Sequence, residues 1–152
     1  NSSDAAPSDL TVEYAYISVG SPITYTYARP TSDITTQWST STGTDHYALI
    51  DEVTASDADY IYATAAGQTD EVKLAAMTAP KAGTDLLINY KVAGIVGSAS
   101  VTMSLRQGSG GTLIATDTAK TSNNTYQLIV PAATWSSTVT DWTDLRLRFV
   151  SA

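Results

Sequence analysis

Residues 101–118 read VTMSLRQGSGGTLIATDT. Val101, Met103 and Leu105 fall on one side of the first run, and Thr102, Ser104 and Arg106 fall on the other. A repeat of two is the pattern of a strand with one buried face, because successive side chains point to opposite sides. The stretch QGSGGT is rich in residues that turns favour, and TLIATDT then resumes as a second strand.

The same repeat recurs along the chain. LTVEYAYI at 10–17 places Leu10, Val12, Tyr14 and Tyr16 on one face, and ITYTYA at 23–28 does the same with Ile23, Tyr25 and Tyr27. SVGSP lies between them as a turn, so the two runs read as a hairpin or as neighbouring strands. EVKLAAM turns Val72 and Leu74 away from Glu71 and Lys73, and LLINYKV and TYQLIV are further strands. DLRLRFV ends the pattern, with Leu145, Leu147 and Phe149 inward and Arg146 and Arg148 outward. PAATWSSTV is a candidate helical turn opened by Pro131. Many short strands separated by turn clusters predict one antiparallel β-sandwich, jelly-roll-like. Its expected core is Leu74, Ile88, Tyr90, Val101, Met103, Leu105, Leu128, Leu145, Leu147 and Phe149. Residues 1–9 are polar and read as an extended arm, and Pro30 in ARPTSD breaks the strand pattern.

A chain of 152 residues suits a single sizeable core. There is no cysteine, hence no disulfide framework and no thiolate chemistry. No apolar run is long enough to cross a bilayer. The net charge of −7 is uneven: residues 1–76 carry eleven acids and two bases, and residues 77–152 carry four acids and six bases. Binding to phosphate backbones needs clustered Lys and Arg, so an acidic chain is a poor nucleic-acid partner. Arg146 and Arg148, the one close basic pair, read as the solvent face of a strand.

The densest acidic stretch is YALIDEVTASDADYIYAT at 47–64, with Asp51, Glu52, Asp57 and Asp59. Asp57 and Asp59 are weak metal candidates, because the glycine and closing glutamate of a calcium loop are missing. Catalysis by a carboxylate pair normally draws on distant strands facing a cleft. The stretch therefore reads as an acidic turn held to the core by Ile50, Tyr60 and Ile61. Tyr47, Tyr60 and Tyr90 are expected to pack in the core. His46, the single histidine, has no cysteine partners for a typical zinc site and is expected at a strand edge. No catalytic residue, metal or cofactor is expected. Tyr14, Tyr16, Tyr25 and Tyr27 form a stripe suited to an interface, since tyrosine favours contact surfaces. Trp142 is expected to plug one end of the sandwich; Trp38 and Trp135 are lesser candidates for stacking on sugar.

ARPTSDITTQW, STGTDHYALIDEVTASDADYI, VKLAAMTAP, LRQGSGGTLIAT and the closing VTDWTDLRLRFVSA occur in an order and spacing that resembles a β-sandwich domain of tailed-phage virion proteins. The resemblance covers residues 28–152. It implies a non-enzymatic structural protein of the virion, a capsid decoration or head–tail accessory subunit, with no catalytic residues to carry over. The implied partners are other virion proteins, such as major capsid or tail subunits, and further copies of the chain, not nucleic acid or membrane. Residues 1–27 fall outside the resemblance and are expected to form an arm and a tyrosine-rich hairpin that makes contacts between subunits. The alternative is a carbohydrate-binding module or receptor-binding tip that recognises a surface glycan, because sandwiches of this kind serve both ends.

Overall fold

The computed structural model describes residues 10–21 and 24–152, and the proposed arm at 1–9 lies outside them. The strands run Leu10–Ser21 (β1), Thr24–Ala28 (β2), Pro30–Thr36 (β3), Ser39–Thr40 (β4), Ile61–Ala63 (β5), Thr69–Leu74 (β6), Leu86–Ala93 (β7), Val101–Gln107 (β8), Thr112–Thr116 (β9), Asn124–Val130 (β10) and Leu145–Ser151 (β11). A short 3-10 turn covers Tyr47–Leu49, and one helix, α1, covers Ala132–Thr138 behind Pro131.

The strands form two antiparallel sheets packed face to face. The first has the order β10-β7-β1-β5-β4, with β2 also paired to β1; the second has the order β3-β6-β11-β8-β9. The chain changes sheet at most of its connections, as jelly-roll sandwiches do. Between the sheets lies one apolar layer, in which Val101, Met103 and Leu105 of β8 and Leu145, Leu147 and Phe149 of β11 meet Leu86, Ile88, Tyr90 and Val92 of β7. All the expected core residues are buried except Leu128, which packs partly buried against the layer.

Phe149 is fully buried, with its ring 6.3 Å from Trp38 and 6.2 Å from Tyr90. The Phe149→Ala variant is expected to lose about 3–5 kcal/mol, since its neighbours belong to both sheets and cannot close the cavity together. Urea midpoints of the two proteins give the difference directly. A loss below about half a kcal/mol would place that ring at the surface.

The boundary expected between residues 27 and 28 would set β1 and β2 apart from the other strands. β1 lies inside its sheet, bonded to β7 on one side and to β5 and β2 on the other. Leu10, Val12, Ala15 and Ile17 are core residues. The sandwich therefore includes the strand at Leu10–Ser21.

The expected alternation of β1 is also corrected. The pairing with β7 shifts between Val12 and Tyr14, which leaves Glu13 as an extra residue, a β-bulge. An extra residue reverses which side chains face inward. Leu10 and Val12 face the core before the bulge, and Ala15 and Ile17 face it afterwards, so Tyr14 and Tyr16 turn to the outer face. Pro30, expected to break the pattern, instead opens β3. That strand lies at the edge of its sheet, where a missing amide hydrogen is tolerated.

Candidate functional site

The outer face of the first sheet carries two adjoining features. The first stands at the β2 end of β1. Tyr14 stacks on Tyr16 with ring centroids 5.8 Å apart, and Tyr27 of β2 meets Tyr16 edge-on at 5.5 Å. Tyr14 is buried, Tyr16 half-buried, and Tyr27 41% exposed. The side chain of Tyr25 lies outside the described residues. Burial pushes the Tyr16 phenol up, and the neighbouring Tyr14 and Tyr27 add to the effect. Beside the rings a polar row crosses three strands: Gln127 of β10 donates to Asn89 of β7 at 2.7 Å, and Asn89 donates to Ser18 of β1 at 3.3 Å. Tyr16, Tyr27 and this row line a shallow depression of about 160 Å³.

The second feature is a recess of about 350 Å³ at the β5 end of the same face. The bulge aims Glu13 into it, while Lys91 reaches it from β7 and Asp57 from the loop before β5. The Lys91 ammonium stands 2.5 Å from Glu13 Oε2 and 2.6 Å from Asp57 Oδ1. Burial raises the Glu13 carboxyl above the usual range, against the pull of Lys91, while hydrogen bonds from Lys91 and Glu13 hold Asp57 below it. Tyr60 closes one side, tilted against Tyr62 at 6.0 Å. Gly94, in the left-handed region at φ 71°, turns the chain away at the end of β7.

The acidic corner divides into unrelated parts. Asp57 belongs to the recess, while Asp59 accepts from the Ser56 hydroxyl at 3.3 Å. Burial raises the Glu52 carboxyl, and Asp51 and Asp59 add their charge. Among the described residues no group of three histidine, aspartate or glutamate side chains is placed to hold a metal ion. Ile50 and Ile61 anchor the corner as expected; Tyr47 is partly buried against the core, and Tyr60 lines the recess instead of joining the core.

His46 is not at a strand edge. It precedes the 3-10 turn, is 6% exposed, and its Nδ1 shares a hydrogen bond with Asp70 Oδ2 at 2.7 Å. Asp70 is fully buried on the inner face of β6 and accepts a further bond from the Trp38 amide at 3.3 Å. Asp33 holds the turn in place by accepting from the amides of His46 and Tyr47. Burial raises the Asp70 carboxyl to about 6, while His46 and the Trp38 amide oppose the rise. Among the described residues the pair's side-chain hydrogen bonds are to each other and to the Trp38 amide, the bonding of a structural lock. Trp38 and Trp135 are buried with their indole N–H groups bonded to Gln68 O and Thr84 O, and neither presents a face for sugar stacking.

The arginines of β11 are more covered than expected. Arg146 is 9% exposed and pairs two-to-two with Asp144, both bonds at 2.9 Å. Both arginines also meet the buried Glu71 on the outer face of the second sheet. Each of the two arginines is thereby held by a carboxylate of its own protein.

Sequence reasoning missed Glu13 and Lys91. Glu13 sits in a run that reads as unbroken strand, and its partners lie 44 and 78 positions further on, so no spacing rule joins them. The only local signal is a charged residue between apolar ones in VEY. No protein-family description, no curated protein and no solved structure matches the chain.

Proposed function

We propose that the chain is a non-enzymatic structural subunit of a tailed-phage virion, a capsid decoration or head–tail accessory protein. It docks on a neighbouring virion protein through the β2 end of the first sheet. The observation that carries this reading is the cluster of Tyr14, Tyr16 and Tyr27 on that outer face, beside a polar row able to bond a partner's backbone. Tyrosine supplies a large contact area with few rotatable bonds to immobilise. The resemblance of residues 28–152 supplies the setting.

Lys91 supports the non-enzymatic part. Glu13 is raised and Asp57 lowered, the opposed shifts that a glycosidase acid and nucleophile show. In a glycosidase, however, the space between them must admit the scissile bond. Here the Lys91 ammonium fills it and pairs with both.

The test is binding to particles of the encoding phage assembled without this protein. Replacing both Tyr16 and Tyr27 with alanine is expected to weaken attachment at least tenfold, a loss of about 1.4 kcal/mol or more. Unchanged attachment would remove the docking surface. Glycan hydrolysis that disappeared in a Glu13→Gln variant would overturn the non-enzymatic reading.

A further inference from the structure

The recess beside the bulge has a chemistry that docking at the other end of β1 leaves unused. We propose that it binds a single neutral pyranose ring, with Asp57, Lys91 and Thr11 as its polar contacts and Tyr60 as its apolar wall.

The first observation is the shape. About 350 Å³ of open space on the face of a sheet is within the size range of small-ligand pockets, roughly 300–1,000 Å³. The second is Thr11. It lies on the wall of the recess, is only 5% exposed, and its hydroxyl has no hydrogen-bond partner. Buried hydroxyls in folded proteins are nearly always bonded, to protein or to ordered water, and this one has no protein group to bond. The third is the bulge, a device that commonly re-aims one side chain beside a binding site. Without it Glu13 would not be the extra residue opposite Lys91.

The class of ligand follows from the charges. One ammonium stands between two carboxyl groups, and burial favours the neutral form of the inner one. An anion would meet Glu13 and Asp57, and a cation would meet Lys91. A sugar hydroxyl donates and accepts at once, so adjacent hydroxyls satisfy Asp57 as acceptor and Lys91 as donor together. The Tyr60 ring can then cover the C–H face of the sugar, the half of a pyranose that polar groups cannot serve.

The experiment uses the full chain, labelled with nitrogen-15 and titrated with D-glucose, D-galactose, D-mannose and N-acetyl-D-glucosamine, with inorganic phosphate and L-lysine as charged probes. Saturable shifts at the amides of Thr11, Ala93 and Gly94 are expected with at least one neutral sugar. Asp57→Ala and Tyr60→Ala should each weaken that binding at least about tenfold, whereas Tyr27→Ala should leave it unchanged. The Asp57 side chain is 84% exposed, so its removal spares the fold; if Tyr60→Ala does not fold, the wild-type shifts and Asp57→Ala decide. The proposal is overturned if no neutral sugar gives saturable shifts up to about 50 mM, well above a weak millimolar dissociation constant. It is equally overturned if the shifts map elsewhere, or if phosphate or lysine saturates these amides in preference.

Discussion

A chain lacking residues 1–27 is expected to show no cooperative unfolding transition. The deletion removes β1, and β1 is what joins β10 and β7 to β5 and β4. Without it the first sheet falls into two fragments, each exposing backbone groups that had been paired. It also removes Leu10, Val12, Ala15 and Ile17 from the layer between the sheets. Truncating a buried Leu or Ile alone costs about 2–5 kcal/mol. A domain of this size has roughly 5–15 kcal/mol in total, so losing the whole strand exceeds what the rest supplies. Far-ultraviolet circular dichroism against urea should give a broad, sloping curve in place of a sigmoid. A sharp transition near that of the intact chain would show that β1 is dispensable and would return it to the role of a detachable arm.

Replacing His46 with alanine is expected to cost about 3–5 kcal/mol near pH 7.5, because it leaves a buried carboxylate without its partner. Asp70 is fully buried and has only the Trp38 amide as a further donor. The cost should depend on pH. The folded protein holds the Asp70 proton to about pH 6, whereas an unfolded aspartate loses it near 3.9. The unfolded state therefore ionises first. Asp70's contribution to stability is full below about pH 4, declines as pH rises, and is lost above about pH 6. His46 opposes the rise in the Asp70 carboxyl, as does the Trp38 amide, while the charge of Asp33 promotes it. Without His46 the decline extends to higher pH. The variant should thus lie closer to wild type near pH 4.5 than near pH 7.5 in parallel urea titrations. Asp70→Asn, which keeps an acceptor and carries no charge, should flatten this dependence. An equal loss at both values would mean that His46 matters for its volume alone.

These elements also show what was readable in the chain. β7, β8 and β11 declare themselves because each buries one face, and burial of one face forces a repeat of two. β3 did not, because PTSDITT lies at an edge and few of its residues are buried. β4 is two residues long and β5 three, too short for any repeat to show. The bulge was invisible because it is decided across the sheet: Val12 pairs with Val92 and Tyr14 with Lys91, neighbours on β7 but not on β1. The recess was unreadable for the same reason, since Glu13, Asp57 and Lys91 come from separate parts of the chain. The tyrosine stripe was read from spacing that the bulge then rearranged: Tyr14 and Tyr16 keep their company but face outward. His46 offered no pattern at all, since one histidine's setting depends wholly on a carboxylate 24 residues away.

The strand order also governs how this protein comes to be folded. β11, the last of the described strands, is the middle strand of its sheet, and β1, the first of them, waits for β7. Ile17 meets Ile88 across 71 positions. The first sheet is complete only once β10 is made and the second only once β11 is made, so β6 and β8 remain unbridged until the residues of β11 emerge. Distant pairings of this kind place folding in the slow class, roughly milliseconds to seconds. During that interval the apolar faces are open to other copies, and loss of β11 would leave the second sheet divided down its centre.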